Sequence, residues 1–177
     1  MSVVFVAGVH GVGKTTACAK AASSLMIGHY AASAVIRGEK ASAVSETSKI
    51  VADLDANQLL LINGVRRIAS QGERFLLDGH FTLKSSLGIE PIPTAVFEQL
   101  GLRGSVLYWD HPEQIAARIA ERDGVEADLD SIHRHQQLEV AHARAVANEL
   151  SIPLVELSAF DVEGLIQSIM EWGGNYV

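Results

Sequence analysis

Eight consecutive residues near the start of the chain carry the pattern G-x-x-x-x-G-K-[ST] without a mismatch. They run from Gly8 to Thr15, with an apolar segment, Val3–Ala7, before them and an Ala-rich segment of helical spacing after them. Glycines let a loop turn its backbone N–H groups toward phosphate oxygens, and the start of a helix adds the positive end of its dipole. The pattern predicts a loop that binds the phosphates of ATP through Gly8, Val9, His10, Gly11, Val12, Gly13, Lys14, Thr15 and Thr16.

Two side chains of this loop and one acidic residue further along could carry phosphoryl chemistry. Lys14 is expected to reach the β- and γ-phosphates, and the hydroxyl of Thr15 is expected to bind Mg²⁺. Asp78 ends the apolar run Phe75–Leu77, and in parallel sheets ligands bind beyond the carboxyl ends of the strands. We therefore predict that Asp78 is the second magnesium ligand, and the alternative is a turn residue before Gly79.

A pair of arginines could stabilise the charge of a phosphoryl group in transfer. Arg118 and Arg122 stand four positions apart in a segment of helical spacing, so they share one helix face. Phosphoryl transfer needs alignment and charge stabilisation more than covalent help, and arginine supplies both. We predict that the two arginines close over the phosphates. The alternative is a solvated face on which they pair with neighbours such as Glu121 and Asp123.

The histidines are weaker candidates for site residues. His80, two residues after Asp78, could position a water or a phosphate oxygen of the substrate, and its alternative is a polar loop residue bonded to the backbone. His135, Glu139 and His142 lie at i, i+4 and i+7, a spacing that could ligate a metal. For these three residues a polar helix face is the favoured interpretation.

The segments that must position these residues alternate between short apolar runs and stretches of helical spacing. Strands are predicted at Val3–Ala7, Ala32–Ile36, Phe75–Leu77, Ser105–Trp109 and Leu154–Leu157. Helices are predicted at Gly13–Met26, Ala56–Ser70, Thr94–Leu100, Pro112–Asp123, Leu129–Leu150 and Val162–Trp172, and residues 38–48 as a loop or short helix. This alternation favours a three-layer α/β fold with a five-stranded parallel sheet between helices.

Composition limits the classes of protein to consider. The chain has 177 residues, a formal net charge of -7 and one cysteine, Cys18. The acidic balance argues against a general nucleic-acid binder, and the single cysteine argues against a disulfide framework. The chain shows neither a signal-peptide pattern nor an apolar run of the ~20 residues that a membrane span needs. We expect one domain over residues 1–177, no membrane partner and a cytoplasmic location.

The order and spacing of these motifs over nearly the whole chain resemble those of the P-loop nucleoside monophosphate kinases, in particular the archaeal-type adenylate kinases. That group has a D-x-H segment after its third strand, which here reads Asp78-Gly79-His80. It also has two arginines on the helix that enters its lid, here Arg118 and Arg122. An I-x-x-H-Q segment follows on the next helix, here residues 132–136.

This resemblance implies a P-loop NTPase fold, with ATP and Mg²⁺ as cofactors and a nucleoside monophosphate as the acceptor. It implies an acceptor-side segment at about 38–72 and a short lid at about 118–130. Arg66, on the helix beside the acceptor, and Arg37, at the end of the second strand, would contact the substrate. Lys14, Asp78, Arg118 and Arg122 would then be the catalytic residues. Relatives of the group that act as ATPases in ribosome assembly make a macromolecular partner an open alternative.

Two other functions therefore remain beside the nucleotide kinase. One is a kinase of another small molecule on the same scaffold, whose acceptor hydroxyl would need a general base such as Asp78 or His80. The other is an ATPase switch that acts on a macromolecular partner.

Overall fold

A central parallel sheet with helices on both faces forms the body of the protein. The computed structural model describes residues 3–42, 55–85 and 88–173. The sheet consists of β1 (Val3–Ala7), β2 (Gly28–Ala31), β3 (Phe75–Asp78), β6 (Leu102–Trp109) and β7 (Leu154–Ser158). A separate antiparallel hairpin is formed by β4 (Thr82–Ser85) and β5 (Gly88–Pro91). The helices are α1 (Lys14–Leu25), α2 (Ala32–Ser42), α3 (Ala56–Ser70), α4 (Thr94–Leu100), α5 (Pro112–Asp123), α6 (Leu129–Leu150) and α7 (Val162–Gly173).

The predicted α/β fold with a five-stranded parallel sheet is confirmed. The strand order is β2-β3-β1-β6-β7, and every pairing within this sheet is parallel. All residues of β1 and β3 are buried, as expected of central strands that helices cover on both faces. One apolar cluster lies on the face of α3, α4 and α6, and the other on the face of α1 and α7.

The strand register brings the candidate site residues to one edge of the sheet. Val6 of β1 pairs with Asp78 of β3, and Ala7 pairs with Leu107 of β6. The loop that follows β1, the turn that follows β3 and the segment that follows β6 therefore leave the sheet on the same side. This is the edge where open parallel sheets bind ligands.

The structure corrects the prediction for the second strand. Ala32–Ile36 was expected to be a strand, but β2 is Gly28–Ala31 and Ala32 already begins α2. The segment 38–48, predicted as a loop or short helix, continues α2 as far as Ser42, and residues 43–54 lie outside the described residues. The hairpin β4–β5 is a feature that the sequence interpretation did not include.

No helix within residues 3–42, 55–85 and 88–173 is long and apolar enough to cross a membrane.

Candidate active site

The loop between β1 and α1 adopts a compact turn that only glycine permits at two key positions. Gly8 has φ +142°, and a Cβ there would lie 2.6 Å from the carbonyl oxygen of Tyr108. Gly13 caps α1 with φ +97°, in the left-handed region. The Val12 N–H donates to the Val9 carbonyl and closes the loop. The first N–H groups of α1 have no i−4 carbonyl to bind, so they are available to an anion.

The three residues that sequence reasoning assigned to phosphate and metal are brought together directly behind this loop. The Thr15 hydroxyl donates to Asp78 Oδ2 at 2.6 Å, and Lys14 Nζ lies 4.0 Å from Asp78 Oδ1. Lys14 and Asp78 are buried, at 7% and 5% exposure. A compact group of one cation, one hydroxyl and one carboxylate can hold a phosphate and a hard divalent cation side by side.

Burial and neighbouring charges set the protonation of this group. Burial lowers the pKa of Lys14, an effect that the carboxylates of Asp78 and Glu139 oppose. For Asp78, burial alone would raise the pKa, but His29, the Thr15 hydroxyl and the Lys14 ammonium outweigh it and lower the pKa. The His29 Nε2 atom is 3.6 Å from Asp78 Oδ2. Asp78 is therefore ionised at neutral pH and can serve as a cation ligand.

The donor set fits Mg²⁺. Thr15 and Asp78 offer oxygen atoms, which Mg²⁺ prefers, and Mg²⁺ sites built from one or two protein oxygens are usually completed by phosphate oxygens and water. The Thr15–Asp78 hydrogen bond keeps these two oxygens adjacent. Both residues are thus suited to hold the ion that the resemblance implies.

Arg118 connects three parts of the site. Its Nε donates to the carbonyl of Gly11 at 2.9 Å, and its Nη2 donates to Asp110 Oδ2 at 2.5 Å. Its guanidinium lies 5.1 Å from the centre of the Phe160 ring. Arg118 therefore connects the phosphate loop, the end of β6 and the segment after β7.

Arg122 lies one turn further along α5 and reaches the same loop. It is hydrogen-bonded to Asp123 through Nε and Nη2, and its Nη2 contacts His10 Nε2. Burial, Arg122 and Lys14 together lower the pKa of His10. The expected alternative for Arg122, pairing with Asp123 on an exposed face, is observed in this structure together with the contact to the loop.

A cavity of about 340 Å³ opens beside Lys14, Thr15 and Asp78. Its wall is mainly apolar and comes from β1, α2, α3, the hairpin and α4. Polar side chains on the wall that sequence reasoning missed are Ser33, Asn57 and Gln58. Of these, only Gln58 has a sequence signal, the capping box of α3, in which its side chain accepts the N–H of Asp55.

His80 lies where this cavity meets a second one. The second cavity, of about 520 Å³, is bounded by the phosphate loop, β4 and the connection between α5 and α6. His80 Nδ1 is buried and has no hydrogen-bond partner. Burial and Lys14 lower the pKa of His80 to about 3, so the imidazole is neutral. His80 lines the cavity beside Asp78, and its contact with a substrate stays a prediction.

The two arginines expected at the acceptor are not brought to this cavity. Arg37 lies on the exposed face of α2, not at the end of a strand as expected. Arg66 is exposed on α3 and donates to Gln99 Oε1 at 3.2 Å. Neither residue lines the cavity wall.

Glu139 is the residue whose setting differs most from its sequence interpretation. It was interpreted with His135 and His142 as part of a polar helix face, but it is buried, at 1% exposure. It binds the turn after β3, while His142 Nε2 contacts the Ile92 carbonyl at 2.6 Å.

Comparisons with known proteins identify a family and a shared fold. A family model described as AAA domain matches residues 7–136. No curated protein is significantly similar to the chain. Among solved structures, a sugar kinase from Janibacter sp. is similar with 18% identity and a TM-score of 0.55, over 97% of this chain and 94% of that one. A gluconokinase from Sinorhizobium meliloti is similar with 15% identity and a TM-score of 0.53, over 97% of this chain and 90% of that one. An uncharacterized protein from Eubacterium ventriosum has 14% identity and a TM-score of 0.56, over 97% of both chains. At these identities the structures share a fold with this chain.

Proposed function

The chain belongs to the AAA-domain family whose model it matches, and from this premise we propose that it transfers the γ-phosphoryl group of ATP to a small acceptor. The observation that carries the proposal is the convergence of Lys14, Thr15 and Asp78 at the mouth of a cavity large enough for such an acceptor. Two solved structures with the same fold, a gluconokinase and a sugar kinase, support it.

Each group of the site has a proposed role in phosphoryl transfer. The loop amides and Lys14 would hold the phosphates, and Arg118 and Arg122 would offset charge as the phosphoryl group moves. Mg²⁺, held by Thr15 and Asp78, would neutralise phosphate charge when bound. The cavity beside Asp78 would hold the acceptor and exclude water, which otherwise competes as the nucleophile.

The first candidate acceptor is a nucleoside monophosphate. The resemblance to archaeal-type adenylate kinases supports it, and the apolar wall of the cavity suits a nucleobase or a ribose face. In this assignment the segments at about 38–72 and 118–130 are the acceptor side and the lid, and the enzyme is a single domain over residues 1–177.

A second candidate is a small molecule without a phosphate that accepts through a hydroxyl. One observation favours it: among the described residues, no arginine lines the cavity, and Arg37 and Arg66 lie elsewhere. Asp78 and the neutral His80 stand where either could take the hydroxyl proton. An ATPase switch that acts on a macromolecular partner is the remaining function.

The first prediction concerns Lys14. We expect Lys14→Ala to lower transfer from [γ-³²P]ATP by at least roughly 10²-fold, since it removes a preorganised charge from the phosphates. Lys20→Ala is the matched control, because Lys20 is an exposed lysine on the same helix. Transfer by K14A at the rate of K20A would contradict the proposal.

The acceptor is identified by a panel run on the wild-type protein. The panel holds monophosphates of all four bases, neutral sugars, sugar acids and hydroxylated aromatic compounds. Labelled product from a monophosphate supports the first candidate, and product from a hydroxyl compound supports the second. Release of phosphate to water with no labelled acceptor, stimulated by a macromolecule, supports the switch.

A further inference from the structure

A buried glutamate on α6 binds the turn that follows β3. Glu139 Oε1 accepts the N–H of Phe81 at 2.7 Å, and Oε2 accepts the N–H of Thr82 at 2.9 Å. The Thr82 hydroxyl donates to the same Oε2 atom, and its oxygen lies 3.1 Å from His135 Nε2. One carboxylate thus receives three donors from two adjacent residues.

Burying a carboxylate at this place costs free energy unless hydrogen bonds compensate for the lost water. Glu139 is only 1% exposed, and a charge taken out of water must be compensated by hydrogen bonds. An apolar side chain would avoid that cost but would leave two buried backbone N–H groups unpaired. The carboxylate therefore pairs two backbone N–H groups at the point where the turn after β3 enters β4.

That stretch carries the groups of the site. His80 lies immediately before the two amides that Glu139 binds, Asp78 lies two residues before His80 at the end of β3, and both line the cavity. On the other side of the turn, the Gly79 N–H donates to the carbonyl of Val6 in β1 at 2.9 Å. The turn is held between β1 and α6, and the α6 side depends on Glu139.

We propose that Glu139 is a positioning residue for phosphoryl transfer, because it holds the Asp78–Thr82 turn so that Asp78 and His80 face the phosphate loop. This inference rests on the proposed function for its effect on activity. It does not depend on that function for its effect on the turn itself, which can be measured separately.

The activity test uses Glu139→Gln. Glutamine keeps the size of the side chain but replaces one accepting oxygen with an NH₂ group that faces donors. We expect kcat to fall roughly 10²-fold, as for a catalytic group displaced by about 1 Å, while KM for ATP changes little, since the phosphate loop is not touched. Glu149→Gln makes the same change on the exposed part of α6, where Glu149 accepts from the Thr94 hydroxyl, and kcat should not change. Val146→Ala, a truncation of a buried residue on the same helix, provides a destabilised control.

The structural test is amide hydrogen exchange at Phe81 and Thr82. In E139Q these two amides should exchange at least about tenfold faster than in the wild type, because a hydrogen bond to a charged acceptor is lost. In E149Q they should exchange at the wild-type rate. A wild type without transfer or ATP hydrolysis would refute the proposed function, and the exchange result would still decide whether Glu139 fixes the turn.

Three outcomes would overturn the inference. The first is that E139Q keeps the kcat of E149Q. The second is that its kcat falls no further than that of V146A at equal loss of thermal stability. The third is unchanged exchange at both amides. If E139Q does not fold, Thr82→Val decides, because it removes one donor to Glu139 and leaves the backbone intact: a fall in kcat at constant KM for ATP supports the inference, and an unchanged kcat contradicts it.

Discussion

At the scale of single residues, the site depends on side chains that make several contacts at once. Arg118 binds the Gly11 carbonyl and the Asp110 carboxylate and lies against Phe160. Its planar guanidinium makes these contacts simultaneously, and a lysine ammonium at the same place would keep the charge but not the geometry. A lysine at this position would therefore test whether the positive charge of Arg118 is enough for activity or whether its fixed orientation is also required.

We expect Arg118→Lys to lower kcat/KM for ATP by roughly 10²-fold, because the cation is no longer held at the phosphate loop. Arg144→Lys is the control, since Arg144 forms a comparable two-point pair with Glu156 on an exposed surface away from the site. Surface pairs of this kind contribute about 0–1 kcal/mol to stability, so R144K should retain activity. Equal kcat/KM in the two variants would contradict the role of Arg118.

Much of the residue-level arrangement could be predicted, because it follows from strand ends. A glycine-rich loop after one buried strand and an aspartate at the end of another must meet when the strands are parallel neighbours, and Thr15 and Asp78 are 2.6 Å apart. Glu139 could not be placed in this way. Its three donors come from a turn more than fifty residues earlier. The helical spacing around Glu139 does not predict a contact with a segment so far away in the sequence.

At the scale of elements, α2 and α3 form the wall of the cavity and pack closely on each other. The contact depends on Gly64 in α3, where a Cβ would lie 2.3 Å from Val35 Cγ1 and 3.0 Å from Glu39 Cγ of α2. Both helices supply residues to the cavity, among them Ile36 and Leu61. The spacing of the two helices therefore helps set the shape of the acceptor site.

We expect Gly64→Ala to destabilise the protein by about 1–3 kcal/mol, as in other overpacked interfaces, although alanine is the better helix former. The matched variant is Gly38→Ala in α2, where an added Cβ meets nothing within 4 Å. It should stabilise by roughly 0.5–1 kcal/mol through helix propensity alone. Denaturant unfolding of both variants measures the change in the free energy of unfolding, which should fall for G64A and rise for G38A. A stabilised G64A would show that the two helices are free to separate.

The same region shows why some elements could not be predicted. Ala32–Ile36 carries two adjacent β-branched residues, which is a strand signal, yet only Val35 of α2 is buried and the segment forms a helix. The strand beside it, β2, is short and half-buried. It is a strand because it pairs with β3, and its composition alone does not indicate one. Helix α3 was predicted with its observed bounds because Asp55 and Gln58 form a capping box.

At the scale of the whole molecule, an acidic protein places three of its 14 lysines and arginines beside the loop that is expected to bind an anion. The chain has a formal net charge of -7, whereas Lys14, Arg118 and Arg122 all lie around one loop. Burial of Lys14 and the surrounding low-dielectric core strengthen its interaction with a bound phosphate. A ligand that contacts both the loop and α5 should therefore stabilise the folded state, because it binds the folded chain and not the unfolded one.

This leads to a prediction for thermal unfolding. MgATP at 100 times its Kd should raise the free energy of unfolding by about 2.7 kcal/mol, which for a domain of this size means roughly 2–4 °C in Tm for each kcal/mol. Lys14→Ala should lose most of this shift, and Lys20→Ala should keep it. An acceptor that binds in the cavity next to the nucleotide should add a further shift in the presence of a non-hydrolysable ATP analogue and Mg²⁺. A Tm that does not move with MgATP in the wild type would show that the loop after β1 does not hold a nucleotide, whatever its shape.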